Sequence, residues 1–315
     1  MTEYTIEGRH IKTIDDIVIP QNVVKLTIKN TSIRKLILPY LPKLTYLEIT
    51  CNYKLASVDL TNNATLVTLN LSSNNLTSVD LTNNTLLVTL DLSSNGLTSI
   101  DLIDNTALAT LDLSDNELTG VDLTNNTLLA DLNLSDNELT SVDLTNNIAL
   151  VTLNLSSNNL TNVDLTNNTA LADLDLWKNK LTSIDLTNNT LLVDLYINSN
   201  KLTNINLINN TLLVTLYINS NKLTRVNLTN NTVLVNLNLS DNNLTSIDLT
   251  NNTLLETLNL SNNNLYNTTR LSPVINLQDL DISKTTIKSK STYLYCSYKL
   301  TDLYTDIPDI SKYII

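Results

Sequence analysis

A 21-residue period constrains this chain more than any other feature in it. The stretch 64–84, ATLVTLNLSSNNLTSVDLTNN, returns as TLLVTLDLSSNGLTSIDLIDN from Thr85 and continues at the same step to about Asn252. Leu66, Leu87, Leu108, Leu129, Leu150, Leu171, Leu192, Leu213, Leu234 and Leu255 open its strict copies. A short fixed period overrides the two-domain prior that 315 residues would set, and predicts one solenoid. The composition agrees: with no Phe and 12 Tyr, 1 Trp as the whole aromatic complement, an irregular core would be hard to fill. A stack of identical leucine layers has no such need.

The ends are looser. Residues 1–22 read as an N-terminal cap with a degenerate repeat (Tyr4, Ile6, Ile11), and 23–264 as the solenoid proper. An early copy runs Leu44, Leu47, Ile49, Asn52, Leu55, with one extra residue between Asn52 and Leu55. After Asn264 the phase slips by one. Residues 265–315 then hold a weaker copy (Leu277, Leu280, Ile282, Ile287) and, from Lys288, a tail that reads as a C-terminal cap.

Each copy has the form L-x-x-L-x-L-x-x-N-x-L, as in Leu66, Leu69, Leu71, Asn74, Leu76. Alternation about Leu69–Leu71 predicts a short strand, and stacking the copies builds a parallel sheet. Asn74 and its equivalents (Asn95, Asn116, Asn137, Asn158, Asn179, Asn200, Asn221, Asn242, Asn263) should point inward, where an amide can satisfy backbone groups freed at the turn. The second half of the repeat, Leu76, Val79, Leu81, Asn84, restates the same motif, so the unit is a nested pair of halves.

This pattern resembles the leucine-rich repeats, and the nested halves resemble their 21-residue class, sometimes called IRREKO-type. The resemblance implies a repeat solenoid with a parallel β-sheet on one face, extended segments or short strands on the return side, and little or no helix. Twenty-one residues leave no room for a helix. Two extended sides have nearly equal spacing, so the expected curvature is shallow. The Ile-, Asn-, Lys- and Tyr-rich ends are similar in composition to repeat proteins of amoeba-infecting giant viruses.

Net charge is −12, but it is unevenly placed. Residues 64–170 carry 13 acidic residues and no Lys or Arg, which argues against nucleic acid as a partner for most of the surface. MTEYTIEGRH has no apolar leader core, and no run of 18 apolar residues occurs, so the expectation is an intracellular, cytoplasmic protein (in an infected host cell, on the viral resemblance) with no membrane contact. Cys51 and Cys296 lie near opposite ends of the stack and are read as free thiols. Asn-x-Thr triplets beginning at Asn83, Asn125 and Asn167 follow from the repeat and are read as structural.

Chemistry is sparse. The one histidine, His10, lies in the N-terminal cap, and no phosphate loop, nucleophile elbow or zinc motif is present. We expect no enzyme, no cofactor and no metal. Asp112, Asp115, Glu117, Asp131, Asp136 and Glu138 crowd two copies, and a column of Asp59, Asp80, Asp101, Asp122, Asp143, Asp164, Asp185 and Asp248 runs along the other side. Carboxylates suit Ca²⁺, yet Asp in that column is part of the repeat and its reading is the cap of a turn.

Function should lie where the consensus is broken. On the strand face the series Asn70, Asp91, Asp112, Asn133, Asn154, Asp175 gives way to Tyr196 and Tyr217 before Asn238. The serines two positions on give way to Trp177, Asn198 and Asn219, and further along the columns change to Lys178 and to Lys180, Lys201, Lys222. With Asp173, Asp175 and Asp194 these residues are expected to form one patch, rich in the aromatic and cationic groups of interface hot spots. The preferred reading is a non-enzymatic, monomeric scaffold that binds a protein partner through coils 171–225. Two bland readings stand beside it: a diverged tandem duplication, suggested by NKLTNINLINNTLLVTLYINSNKL, and simple Lys–Asp neutralisation of an acidic sheet. A structural or decoy repeat with no ligand, and the substrate-recognition subunit of a ubiquitin-ligase complex, are the alternatives in function.

Overall fold

The computed structural model describes residues 2–265, 276–285 and 302–304. Ile287, Cys296 and most of the tail read as a cap lie outside them. The chain divides into two compact units, 1–150 and 151–315. Each is a parallel β-solenoid, and no helix occurs among the described residues.

In the first unit β1 (Glu3–Glu7), β2 (Lys25–Lys29), β4 (Tyr46–Thr50), β6 (Thr68–Asn70), β7 (Thr89–Asp91), β8 (Thr110–Asp112) and β9 (Asp131–Asn133) pair in order. The residues read as an N-terminal cap therefore already supply a paired strand. On the return side β3 (Lys35–Ile37) pairs with β5 (Ser57–Asp59). Later coils have extended backbone and turns there, with i to i+3 bonds such as Asn84 N to Leu81 O at 2.9 Å. The second unit runs from β10 (Thr152–Asn154) through β11 (Asp173–Asp175), β12 (Asp194–Tyr196), β13 (Thr215–Tyr217), β14 (Asn236–Asn238), β15 (Thr257–Asn259) and β16 (Asp279–Asp281) to β17 (Asp302–Tyr304).

Each strict coil from Leu66 to Leu249 buries at least five aliphatic side chains, with isoleucine at Ile197 and Ile218 where the other coils have leucine. Leu108, Leu111, Leu113, Leu118 and Leu123 of one coil are each at most 1% exposed. A leucine truncated to alanine in such a layer costs about 2–5 kcal/mol. Between the leucine layers run two ladders of buried asparagine, one in each half of the repeat.

The front ladder is the one expected. Asn116 Nδ2 donates to Leu113 O at 3.1 Å and Ser114 O at 3.1 Å in its own coil and to Leu92 O at 3.0 Å in the coil before, while its Oδ1 accepts from Leu97 N at 3.0 Å. Threonine takes over towards both ends: Thr31 N and Oγ1 donate to Asn52 Oδ1, and Thr285 Oγ1 donates to Leu260 O. The rear ladder includes Asn63, Asn84, Asn105, Asn126, Asn210, Asn231 and Asn252, each 0 or 1% exposed. Asn126 Nδ2 donates to Leu102 O at 3.1 Å and Asn105 O at 3.0 Å, and its buried Oδ1 accepts nothing.

A third column precedes the front ladder. Ser73, Ser94, Asp115, Asp136, Ser157, Lys178, Ser199, Ser220, Asp241 and Asn262 all hold φ between 51° and 56°, the left-handed region. It turns the chain sharply off the strand and aims the following Asn inward. L-residues are disfavoured there by roughly 1–2 kcal/mol, and only Asn or Asp meet that cost with local hydrogen bonds.

The two ladders differ in a way that can be measured. Replacing Asn116 by Ala removes both donors and the acceptor for a buried N–H, and should cost roughly 2–4 kcal/mol; Asn126→Ala strips only carbonyl partners and should cost about 1–2 kcal/mol. Urea midpoints of the two variants give the ranking, and the reverse order would deny the front Oδ1 its role.

Candidate partner-binding face

The strand face of the second unit has a regular self-bonded surface. Asn154 Oδ1 accepts from Ser156 N at 3.0 Å and Ser156 Oγ at 2.7 Å; Asn238 with Ser240 and Asn259 with Ser261 repeat the arrangement. The serines are thus less exposed than a plain strand alternation predicts: Ser156 and Ser240 are each 5% exposed. In each pair the Asn carbonyl oxygen and the Ser N–H and hydroxyl are bonded to one another.

At β11–β13 this surface is interrupted. Asp175 Oδ1 still accepts from Trp177 N at 2.8 Å, but Trp177 has no hydroxyl, and the residue is 40% exposed. Tyr196 and Tyr217 replace the acceptor, and Asn198 and Asn219 replace the serine. The two tyrosines are register partners and half-buried, with ring centroids 5.4 Å apart at 86°, so they meet edge to face and not as a parallel stack. Lys178, in the left-handed column, lays its Nζ 5.6 Å from the centre of the Trp177 ring.

The carboxylates sit at the start of the same strands. Asp173 and Asp194 are cross-strand partners, and Asp175 lies opposite Tyr196. Desolvation, followed by the hydrogen bond and charge of Asp194, raises the Asp173 pKa. Burial raises that of Asp175 despite the Trp177 N–H, and burial plus the surrounding carboxylates raises that of Tyr196.

Lys180, Lys201 and Lys222 lie apart from this group, beyond the buried ladder amides Asn179, Asn200 and Asn221. They line one margin of the face. None of the four lysines forms a salt bridge among the described residues, so neutralisation of Asp173, Asp175 or Asp194 by direct pairing does not account for them. Next to Tyr217 lies a depression of about 320 Å³, lined by Asn236, Asn238, Thr257, Asn259, Asp279 and Asp281. All of these belong to two ordinary strand columns, Asn236–Thr257–Asp279 and Asn238–Asn259–Asp281, which is why no departure from consensus marks it.

The acidic features behave as repeat chemistry. Asp80, Asp122, Asp164 and Asp185 each accept from the N and Oγ1 of the Thr two residues on, and those bonds hold their carboxyls below the ordinary range. Asp112, Asp115, Glu117, Asp131, Asp136 and Glu138 are spread from strand start to beyond the ladder, and no three His, Cys, Asp or Glu among the described residues converge as a metal site. His10 is exposed and its ring lies over Gly8, where an added Cβ would come within 2.7 Å of it. Cys51 is a free, half-buried thiol; Cys296 lies outside the described residues.

Two predictions follow from this geometry. Because folding raises the Asp173 pKa, its cost is absent below the ordinary carboxylate range and grows as pH rises through the raised value. Asp173→Asn should therefore raise the Tm at pH 7 and have no effect near pH 3; a gain of equal size at both would refute the repulsion. Lys178→Asn should stabilise the fold by about 0.5–1 kcal/mol, since Asn tolerates the left-handed region better. Chemical denaturation reads it directly, and a loss of stability would show that the cation–ring contact outweighs the backbone strain.

The leucine-rich repeat model matches residues 254–275. No curated protein sequence matches the chain. Among solved structures, the functional domain of InlJ from Listeria monocytogenes, which includes a cysteine ladder, is 31% identical with a TM-score of 0.74; the match covers 89% of this chain and 60% of that one. The chain therefore spans less than two thirds of that relative's length. The leucine-rich repeat protein LIC12759 from Leptospira interrogans is 21% identical, TM-score 0.74, covering 94% and 81%. A chain of the Toll–Spatzle complex from Drosophila is 21% identical, TM-score 0.72, covering 91% and 43%. The fold is thus a parallel β-solenoid that matches leucine-rich repeat structures.

Proposed function

We propose that this chain is a non-enzymatic recognition scaffold of the 21-residue nested class, and that it binds a protein through the strand face of β11–β13. The observation that carries the reading is a paired one. In each of two adjacent coils the self-bonded acceptor and hydroxyl are both gone, replaced by Tyr196 with Asn198 and Tyr217 with Asn219. A drifting surface position loses one partner and leaves the other in place. Here both partners change, and what remains is a half-exposed aromatic pair flanked by Trp177.

The chemistry of the partner follows from the face. Tyrosine and tryptophan offer rigid contact area at little entropic cost. Asp173 and Asp194 repel each other across the strands, and an Arg or Lys of the partner placed between them would relieve that repulsion. The lysine margin suits acidic groups at the rim of the same partner. The Toll–Spatzle complex supports the class of function by analogy of fold, a protein ligand held by a chain of this architecture. We place the site of action inside a cell, on the character of the sequence.

The tandem similarity of the coils around Tyr196 and Tyr217 favours a second reading, a duplicated structural or decoy array without a ligand. One experiment separates the two. The triple variant Trp177→Ser, Tyr196→Ser, Tyr217→Ser is made in the full chain and used as bait in the native cell extract beside the wild type. Our reading expects specific partners to be lost while circular dichroism and Tm stay close to wild type. An unchanged set of captured proteins would favour the array.

A further inference from the structure

We infer that the first unit carries a second, separate binding site, a cationic concavity that takes a small phosphate-bearing anion. Lys12, Ser32, Arg34, Lys35 and Lys54 line a hollow of about 480 Å³. It lies wholly within the first unit, and rests on none of the reasoning about the strand face of β11–β13.

The hollow arises from departures at three successive coils. In the strict repeats the leucine after the front ladder is followed by Thr and Ser or a close variant, as in Leu76-Thr77-Ser78. The same place in the first coils reads Ile11-Lys12-Thr13 and Ile33-Arg34-Lys35. Lys54 enters differently: it belongs to the single extra residue between Asn52 and Leu55. Backbone bonds fix the coils to each other here, with Ser32 N on Ile11 O at 2.8 Å and Ala56 N on Arg34 O at 2.9 Å. Ser32 Oγ donates to Arg9 O at 2.7 Å, so the hydroxyl is held and its lone pairs stay open.

Charge makes the arrangement unusual. Adjacent coils of a parallel sheet lie about 4.8 Å apart, so cations at one column of neighbouring coils repel. Lys12, Arg34, Lys35 and Lys54 are all exposed, and none has a salt bridge among the described residues. The hydroxyl and N–H of Thr61 hold the Asp59 carboxyl below its ordinary range, and the charge of Lys35 adds to this without an ion pair. In a chain of net charge −12, four cations lining one hollow form a local well of opposite sign.

The size of the well selects the ligand. Hollows of roughly 300–1,000 Å³ hold small molecules, not extended chains. An extended polyanion would also run onto the acidic residues of 64–170, which repel it. A compact group with several charges meets four cations within one Debye length, about 8–10 Å. Phosphate fits better than a lone carboxylate: it carries more charge per volume, and the planar Arg34 fork can bond two of its oxygens at once.

Inorganic tripolyphosphate is the probe. Isothermal titration at low salt is run on the full-length wild type, on Lys12→Gln with Lys54→Gln, on Arg34→Gln with Lys35→Gln, and on Lys29→Gln with Arg225→Gln as a control. The wild type and control should bind alike, and each of the first two pairs should weaken binding by about tenfold or more. Affinity should fall steeply with added salt. No binding, or the same affinity in all four proteins, would overturn the site. Citrate or a glutamate peptide binding as tightly as tripolyphosphate would overturn the phosphate assignment.

Discussion

Everything in this fold depends on a buried amide that reaches from one coil to another. Leucine layers exclude water but say nothing about register, since one leucine slides past the next at little cost. The asparagines remove that freedom. Asn116 ties Leu92 and Leu97 of the preceding coil to Leu113 and Ser114 of its own, and each bond is made where water is absent. A slip by one residue would leave several backbone groups buried without partners, at about 1–3 kcal/mol each. The hydrophobic stripe supplies the cohesion and the amides supply the alignment.

The ladder in turn requires a sharp bend before it, and the bend requires the left-handed backbone. The series Ser73 to Asn262 contains residues that tolerate that region poorly beside others that tolerate it well, and all hold φ above 50°. The fold is therefore strong enough to impose one backbone on differing side chains. Sequence variation at that column is free to serve something other than stability, and Lys178 over the Trp177 ring is one use of that freedom.

The repeat, the parallel coils, the front ladder and the turn-capping aspartates were all legible from spacing, because a strict period reveals which positions share an environment. The rear ladder was half legible. Asn84 stood in the nested motif, but its complete burial depends on how two turns bring the chain round, which spacing does not report. The burial of Ser156 and Ser240 was missed for a similar reason: an Asn two residues earlier folds the hydroxyl against itself. For the candidate face, the sequence located the departures but not their grouping. Trp177 and the tyrosines join the strands, whereas Lys180, Lys201 and Lys222 fall beyond a buried amide on the margin. The hollow at Lys12 and Arg34 escaped notice because the coils there are irregular, and columns can be aligned only once the backbone bonds are seen.

The carboxylates show how one residue type is put to two uses. In the turns, Asp80 and Asp122 receive an N–H and a hydroxyl from Thr, which favours the charged form; their contribution is present above the ordinary carboxylate range and lost as pH falls through the lowered value. On the strand face, burial and the hydrogen bond and charge of the neighbouring Asp194 disfavour the charged form of Asp173. The turn aspartates complete the scaffold within the chain. The strand-face pair is left with an unmet electrostatic demand, in the same coils where the Asn–Ser pairs give way to Tyr and Trp. Polar groups that satisfy one another make an inert surface; in a chain this repetitive, the coils in which that satisfaction is withdrawn are the ones equipped to receive something from outside.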